Sequence, residues 1–405
     1  MLVIRYINLF CAFALIWSCH SPVGPGLEDG DYTLQFHAQG YQIPVHLKID
    51  DGAWKIINGL DTLVLRNELV NEDSLVFKTP LFQSYLHVYL GKGDQINGQW
   101  HDLSRTTPYH VDFTITKKTE HLTSSDITTT ENYDVFFSPH TADSTHAIGA
   151  FHVKNGDVQG TFMTESGDYR FLSGRWLKDS MFVSCFDGAH LFYFSARIQE
   201  NQLTQGVFVS GNHWKENWEG VRNASASLQD PDAITTLRDT LKPFEFNVRS
   251  LDGKEVHFDS STFKSHVTIV QLFGSWCPNC TDESKLFLEL YGQYASAGLQ
   301  IIPIAFERLD DVVMAKKVIG AQFQEMGITY PAYFGGKSSK DHAATVFPML
   351  SGVSSYPTSI FLDKSGKVRK IHTGFYGPGT GNTYILHRDR IREFVELLLH
   401  ENGSH

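Results

Sequence analysis

The chain has 405 residues, of which 41% are hydrophobic, 13% aromatic and 20% charged, and its net charge is −11. This composition is typical of a globular protein and excludes an intrinsically disordered one. The length predicts two or three domains, each large enough to bury a core. The acidic chain has no basic tract suited to gripping phosphate groups, so we expect no nucleic-acid partner.

The first 18 residues are predicted to be a signal peptide. Residues 7–17 form an almost entirely apolar run after a single charge at Arg5. The run is about as long as the apolar part of a secretory signal and too short to span a membrane. We therefore expect an exported protein.

The end of this run predicts a lipid anchor. Leu15-Ile16-Trp17-Ser18-Cys19 resembles a bacterial lipobox, with Cys19 as the residue that carries the lipid, although Trp17 departs from the pattern. A plain secretory signal is the alternative. With a lipobox, we expect the protein on the periplasmic face of a bacterial membrane, bound to it through Cys19, with residues 19–30 as a tether.

Residues 31–222 predict an all-β antiparallel domain. Their short runs alternate apolar and polar residues, and turn dipeptides such as Asp51-Gly52 and Asn155-Gly156 separate them. No segment keeps a 3.6-residue period long enough for a helix. The alternating runs are residues 41–49, 63–65, 74–77, 85–90, 110–115, 149–153, 168–172, 180–185, 190–195 and 206–209.

Two sequence matches within this region indicate an internal duplication. Residues 47–52 align with 151–156 at an offset of 104, and residues 73–77 align with 179–183 at an offset of 106. Chance similarity is the alternative, because alternation alone makes strand–turn–strand segments look alike. With about four strands from each copy, we expect about eight strands in a closed barrel or a two-layer sandwich.

A small, polar stretch at 223–231 marks a boundary, and residues 223–241 are predicted to be a linker with a short helical turn at 232–240. From 242 to 405, strands alternate with helices, which is the pattern of an α/β domain with a central sheet flanked by helices. Strands are predicted at 267–273, 299–306, 358–362 and 367–372. Helices are predicted from residues 277–280 to about 297, at 310–326 and at 388–400.

The cysteines indicate the chemistry of this second domain. Cys11 leaves with the predicted signal, and Cys185 stands alone, as expected of a small buried hydrophobic residue. Cys277 and Cys280 form a Cys-x-x-Cys motif between a predicted strand and a predicted helix. The helix start stabilises the thiolate of the first cysteine, and the second, one turn inside, can resolve a mixed disulfide.

The residues beside the two cysteines suit this arrangement. Pro278 fits the opening turn of a helix, where a missing N–H group costs little. Trp276 directly precedes the motif and is expected to shield the pair from one side.

Other functions are also compatible with two cysteines. A structural zinc site needs four ligands, and no second Cys-x-x-Cys or His-x-x-x-His pair completes one. A copper-handling protein could use the same soft thiols but has no His or Met beside the motif, although His372 could approach in space. A peroxidase would need a single cysteine in a Pro/Thr-framed loop. A binding module, in which the β region does the work and the redox domain is auxiliary, remains open.

With this motif, residues 242–400 resemble the thioredoxin-like fold and, within it, the TlpA/ResA group of exported thiol-disulfide oxidoreductases. The resemblance rests on a leading hairpin at 243–256, on Trp276-Cys277-Pro278-Asn279-Cys280 and on Tyr356-Pro357-Thr358 before a strand. It implies that Pro357 is cis and faces the dithiol, with the backbone of Tyr356 presented to the substrate.

The resemblance also implies an activity and its partners. The protein would reduce disulfides in other proteins through a mixed-disulfide intermediate and receive electrons from an upstream thiol donor. Its redox group would be the Cys277–Cys280 disulfide itself, with no further cofactor and no metal.

Two further positions are compared with the family pattern. Thioredoxins have a buried Asp six residues before the first cysteine, and Gln271 at that place removes this proton acceptor. The TlpA/ResA group has a Glu three residues after the second cysteine, and Glu283 stands there, which implies a role in proton transfer. The alternative is an acid in the first helical turn that favours the helix dipole, as expected of Asp282.

Overall fold

The computed structural model describes residues 27–70, 73–90, 96–118 and 128–401. The predicted signal peptide, with Cys11, and the predicted lipidation site Cys19 lie outside these residues. Within the described part of the chain, no helix combines the length and the apolar character needed to cross a membrane.

The first sheet closes into a barrel-like ring. Its nine antiparallel strands have the order β4-β3-β2-β1-β9-β8-β7-β6-β5 when numbered along the chain. Only Leu65 separates the two edge strands, and its amide donates to the carbonyl of Trp54 at 2.9 Å, so the edges act as one kinked strand. The strands are β1 (Gly30–Ala38), β2 (Tyr41–Asp50), β3 (Ala53–Asn58), β4 (Asp61–Val64), β5 (Arg66–Val70), β6 (Ser74–Lys78), β7 (Ser84–Tyr89), β8 (Ile96–Asp102) and β9 (His110–Lys117).

The second sheet is a closed ring as well. Its order is β11-β10-β18-β17-β16-β15-β14-β12-β13, and a further pairing of β11 with β12 closes it. All of its pairings are antiparallel, and β13 is only two residues long. The strands are β10 (Thr128–Phe137), β11 (Thr145–Lys154), β12 (Asp157–Thr164), β13 (Gly167–Asp168), β14 (Leu172–Trp176), β15 (Ser180–Phe186), β16 (Leu191–Gln199), β17 (Gln202–Ser210) and β18 (Trp214–Arg222).

The two rings share one topology, which supports the predicted duplication. Both are up-and-down meanders with eight strand positions, and the matched segments lie on equivalent strands: β2 corresponds to β11, and β6 to β15. Both copies also turn after the second strand through two residues with positive φ, at 52° and 71° in Asp51-Gly52 and at 55° and 78° in Asn155-Gly156.

The prediction of four strands per copy was wrong, since each copy supplies eight positions and two barrels replace one. Alternation misses strands whose inward positions are not apolar. In β8, for example, the three buried residues are Gly98, Trp100 and Asp102, so only one of them contributes an apolar signal.

Each ring encloses an aromatic core, and the two cores meet. Phe36 and Trp100 are buried in the first ring, whose cluster extends to Phe186 of the second. Phe162 and Trp218 are buried in the second. Burying one such side chain contributes roughly 1.5–3 kcal/mol, so these clusters are the main source of stability of the β region.

The C-terminal domain has a mixed sheet of seven strands in the order β20-β19-β23-β22-β21-β24-β25, in which β21, β22 and β23 are parallel. Its strands are β19 (Phe246–Ser250), β20 (Glu255–Phe258), β21 (Val267–Phe273), β22 (Leu299–Glu307), β23 (Tyr333–Lys337), β24 (Thr358–Leu362) and β25 (Val368–Thr373). Its helices are α1 (Ser260–Phe263), α2 (Pro278–Tyr294), α3 (Val312–Met326), α4 (Lys340–Val346) and α5 (Asn382–His400).

Both faces of this sheet are covered. Alternate side chains of β21 enter different cores: Ile269 lies under α2, α3 and α5, and Val270 lies on the opposite face with α1 and α4. The domain therefore has the α/β architecture predicted from the sequence, with a central sheet flanked by helices.

Two helix predictions were wrong in extent. The last helix begins at Asn382 instead of 388. The sequence pattern did not reveal its first turns because they carry no buried apolar stripe: Ile385 and Leu386 are exposed. The predicted turn at 232–240 is a single 3-10 turn, Pro231–Ala233, after which the chain pairs Leu237 with Leu350.

Candidate active site

Cys277 and Cys280 are joined by a disulfide at the start of α2. Cys277 caps the helix, since its Sγ accepts a hydrogen bond from the backbone N–H of Cys280 at 3.2 Å, and Pro278 occupies the first helical turn. Cys277 is 6% exposed and Cys280 is fully buried. A substrate can therefore reach the first sulfur more easily than the second.

The segment Tyr356-Pro357 faces this disulfide. The peptide bond between the two residues is cis, and the carbonyl oxygen of Tyr356 lies 3.8 Å from Cys277 Sγ. The ring of Trp276 meets that of Tyr356 edge-on at 6.0 Å, while its Nε1 donates to the carbonyl of Phe306 at 3.0 Å. The side chain of Trp276 is thereby fixed beside the first cysteine.

Glu283 is fully buried between α2 and the sheet. Gln271 Nε2 on β21 donates to its Oε2 at 2.9 Å, and Ser359 Oγ on β24 donates to its Oε1 at 2.9 Å. Burial raises the pKa of Glu283 to about 8, against the two hydrogen bonds, which lower it. Glu283 is therefore a buried, hydrogen-bonded carboxyl group, in contrast to a solvated acid in the first helical turn.

Gln271 occupies the position where thioredoxins have an aspartate, and its amide links several groups near the second cysteine. Besides Glu283, Nε2 lies 3.4 Å from the carbonyl oxygen of Cys280, and Oε1 accepts a hydrogen bond from Ser284 Oγ at 3.1 Å. Residues three apart on a helix are neighbours, so Glu283 lies on the same side of α2 as Cys280.

Asp282 differs from its sequence-based interpretation. It is 4% exposed and pairs with Arg170, a residue of the second ring, and with Lys285 of α2 at 3.2 Å. It therefore joins two domains instead of serving as a solvated acid in the first helical turn. The sequence carries no signal for this contact, since 112 positions separate Arg170 from Asp282.

The other singled-out residues lie elsewhere. Cys185 is a free thiol in the core of the second ring, and burial raises its pKa well above the ordinary value. His372 places its Nδ1 2.7 Å from Asp232 Oδ1 of the linker and packs its ring 4.4 Å from that of His387. These contacts give His372 a role in holding the linker on β25.

Comparison with known proteins agrees with this geometry. The sequence pattern of the AhpC/TSA family matches residues 238–371. The ResA thiol-disulfide oxidoreductase of Geobacillus thermodenitrificans is 26% identical over 130 residues, 32% of this chain and 66% of that protein. ResA of Halalkalibacterium halodurans is 24% identical over 166 residues, 41% of this chain and 74% of that protein.

Other matches cover similar shares. ResA of Bacillus thuringiensis subsp. konkukian is 28% identical over 30% of this chain, and the chain spans 62% of that relative. For the Geobacillus and Bacillus proteins, the match thus spans less than two thirds of the relative's length.

Solved structures match a similar share of the chain. A thioredoxin-family thiol:disulfide interchange protein from Chlorobium tepidum TLS is 23% identical, with a TM-score of 0.29, over 39% of this chain and 97% of its own. A secreted thiol-disulfide isomerase from Corynebacterium glutamicum is 17% identical, with a TM-score of 0.32, over 44% of this chain and 99% of its own. Residues 238–371 of this chain thus match the AhpC/TSA family and lie in a thioredoxin-like domain that is similar in sequence to the ResA thiol-disulfide oxidoreductases.

Proposed function

We propose that this protein is an exported thiol-disulfide oxidoreductase that reduces disulfides in other proteins through Cys277 and Cys280. The supporting observation is the disulfide at the start of α2, in which Cys277 is partly accessible and Cys280 is fully buried. This asymmetry suits a pair in which one sulfur attacks and the other resolves.

The reaction begins with the dithiol, formed when an upstream thiol donor transfers two electrons to the Cys277–Cys280 disulfide. The Cys277 thiolate attacks one substrate sulfur, which forms a mixed disulfide and releases the other substrate sulfur as a thiolate that takes up a proton. Cys280 then loses its proton and attacks Cys277 Sγ. The second substrate sulfur leaves as a thiolate and takes up a proton. The substrate is thereby reduced by two electrons, and the Cys277–Cys280 disulfide forms again.

The backbone at Tyr356-Pro357 orients the substrate in this scheme. The carbonyl oxygen of Tyr356, 3.8 Å from Cys277 Sγ, is positioned to accept a hydrogen bond from the backbone N–H of a substrate segment bound beside the sulfur. Such a contact holds the reacting sulfurs in line, which is how positioning contributes to rate.

Glu283 accepts the proton of Cys280 during the second step. The resolving thiol is shielded from bulk water, and Glu283 lies one helical turn away with a pKa near 8. A base with a pKa near the working pH is the most effective proton acceptor. Because Gln271 cannot ionise, Glu283 serves as the proton acceptor that a carboxylate at position 271 would otherwise be.

Export and a lipid anchor at Cys19 complete the proposal. They rest on the apolar run at 7–17 and the lipobox-like Leu15-Ile16-Trp17-Ser18-Cys19, and they place the dithiol on the periplasmic face of a bacterial membrane. Cys19→Ser should release the protein from the membrane fraction without changing its activity.

The activity is tested by insulin reduction with dithiothreitol as the donor. Wild type and a Cys185→Ser control should both accelerate the reaction, since Cys185 is buried in a different core. Cys277→Ser should reduce the rate to that of dithiothreitol alone. Equal rates for Cys277→Ser and wild type would disprove the proposed function.

A further inference from the structure

A loop of the second ring lies across the entrance to Cys277. This segment, residues 165–171, connects β12 to β14, contains the two-residue strand β13 and is called the cap loop below. Together with the Cys-x-x-Cys motif it lines an open cavity of about 180 Å³, whose other walls include Trp276, His190 and Phe192. The cap loop is therefore the outer wall of the space in front of the first cysteine.

Three hydrogen bonds connect the cap loop to segments of the C-terminal domain. Asn279 Nδ2, in the motif itself, donates to the carbonyl of Asp168 at 3.1 Å. The backbone N–H of Gly377, after β25, donates to Asp168 Oδ2 at 2.5 Å. Ser355 Oγ, next to Tyr356, donates to the carbonyl of Ser166 at 3.2 Å.

A buried ion cluster strengthens this connection. The guanidinium of Arg170 pairs with Asp282 on α2, and its Nε lies 3.6 Å from Asp187 Oδ2 in the second ring. The side-chain exposures are 11% for Arg170, 4% for Asp282 and 3% for Asp187. Removal of one partner from such a cluster leaves an uncompensated buried charge, which is strongly destabilising.

The contact between the cap loop and the C-terminal domain is close enough to exclude even a methyl group. A Cβ added to Gly167 of the cap loop would lie 2.2 Å from Asn279 Nδ2. A Cβ added to Gly379, in the 3-10 turn Pro378–Thr380, would lie 2.8 Å from the carbonyl oxygen of Arg170. The cap loop and the C-terminal domain thus fit together without a gap at these points.

This closure limits what can reach Cys277. A cavity of about 180 Å³ is smaller than the 300–1,000 Å³ typical of sites for drug-sized ligands, so it holds only a small molecule. A disulfide on a folded protein is attached to a body far too large to enter this cavity. Because the cap loop is one wall of the space beside Cys277, we expect such a body to meet the cap loop before it meets the sulfur.

We propose that the cap loop gates the dithiol: small disulfides react with Cys277 in the closed state, and protein disulfides react only after the cap loop moves away. This inference rests on the proposed function for the identity of the reaction. The bonds that form and break are unchanged, and the cap loop controls only which disulfides can approach.

Gly379→Ala tests the gate. Gly379 has no positive φ, so alanine suits its own backbone, and the added methyl meets only the backbone of the cap loop at 2.8–3.3 Å. Overpacking of this kind destabilises the closed arrangement. The matched control is Gly352→Ala, since nothing lies within 4 Å of a Cβ at Gly352.

Each prereduced variant is mixed with insulin or with bis(2-hydroxyethyl) disulfide, and single-turnover rates are compared. For Gly379→Ala we expect insulin reduction to be faster by about tenfold or more, with the small-disulfide rate within about twofold of wild type. Gly352→Ala should match wild type with both substrates. Equal insulin rates for the two variants would overturn the gate.

A second variant and readout keep the test independent of the first. Arg170→Ala removes the ion cluster, and Arg197→Ala, at an exposed pair with Asp179, is its control. In the reduced proteins, Cys277 should react with a polyethylene-glycol maleimide about tenfold faster in Arg170→Ala than in Arg197→Ala, while the rate with N-ethylmaleimide changes little. If no variant reduces either disulfide, the proposed function fails, and the maleimide ratio still decides the gate.

Discussion

The side-chain amide of Gln271 donates a hydrogen bond of 2.9 Å to the carboxyl group of Glu283 inside the C-terminal domain. Gln271 is paired in register with Ser359 on the neighbouring strand, so the two side chains hold one carboxyl group from the same face of the sheet. The hydroxyl of Ser359 can donate to the carboxylate or accept from the carboxylic acid. Both protonation states of Glu283 can therefore be hydrogen-bonded.

Substitution of Glu283 by Gln should slow the second chemical step. Gln fills the same space but cannot take the proton of Cys280, and a general base typically contributes about 10²–10⁴-fold. Stopped-flow measurement of mixed-disulfide decay should show a rate about a hundredfold lower than in wild type. The wild-type rate should also rise with pH through about 8, and the variant should lose that rise.

The control for this measurement is Glu289→Gln, an exposed acid on the same helix. It should decay as fast as wild type, with the same pH profile. If Glu283→Gln also kept the wild-type rate and profile, Glu283 would have no part in proton transfer.

The stability of the protein should depend on pH through the same carboxyl group. Its pKa is about 8 in the folded state and 4.5 ordinarily, so between these values the unfolded chain has lost the proton that the folded chain retains. The free energy of unfolding therefore falls as pH rises from 4.5 to 8. In urea unfolding, the free energy of unfolding of Glu283→Gln should exceed that of wild type by an amount that grows across this window, to on the order of 4 kcal/mol at its upper end.

Below pH 4.5 the advantage of Glu283→Gln should vanish, because both states of wild type are then protonated. Glu289→Gln should follow wild type at every pH. An advantage that stayed constant with pH would show that the carboxyl group of Glu283 ionises normally in the folded protein.

Asn58 joins the two rings through the backbone of Phe186. Its Nδ2 donates to the carbonyl of Phe186 at 2.9 Å, and its Oδ1 accepts from the amide of Phe186 at 3.1 Å. Asn58→Ala leaves both buried backbone groups unpaired and should lower the free energy of unfolding by about 2–4 kcal/mol, at about 1–3 kcal/mol for each group. Chemical denaturation followed by tryptophan fluorescence measures this loss, and a loss no larger than that of the exposed Asn201→Ala would contradict it.

Residues 27–222 should fold without the C-terminal domain. Both β cores are built from residues within this range, so no core position is lost when the chain is cut in the linker. We expect a β-type circular dichroism spectrum and a cooperative thermal transition. A helical spectrum or an unfolded fragment would show that the linker boundary is misplaced.

The C-terminal domain was more predictable than the β region because its signals are local. The run at 267–273 is apolar at nearly every position, since β21 is buried on both faces, and its predicted bounds match the strand. In the rings, Gly98 and Asp102 occupy inward positions of β8, so the sequence pattern understated the number of strands.

In the site, too, features set by local sequence were predictable, and features set by contacts between distant segments were not. Cys277, Cys280 and Glu283 lie within seven residues of one helix start, and local spacing identified them. Arg170, which pairs with Asp282, and Asp168, whose carbonyl accepts from Asn279, belong to the cap loop. They lie more than 100 positions away, and their contacts depend on how two domains pack. No spacing rule within one segment contains that information.

The most direct test of the proposed chemistry is to trap the mixed disulfide. Prereduced Cys280→Ser is mixed with bis(2-hydroxyethyl) disulfide, a probe small enough to enter beneath the cap loop, and peptide mapping by mass spectrometry locates the adduct. We expect a stable adduct on Cys277 in Cys280→Ser. No adduct should accumulate in wild type, because Cys280 resolves it. In Cys277→Ser, Cys280 should form an adduct much more slowly than Cys277 does in Cys280→Ser. Absence of an adduct on Cys277, or equal modification of Cys280 in Cys277→Ser, would contradict the assignment of Cys277 as the attacking residue.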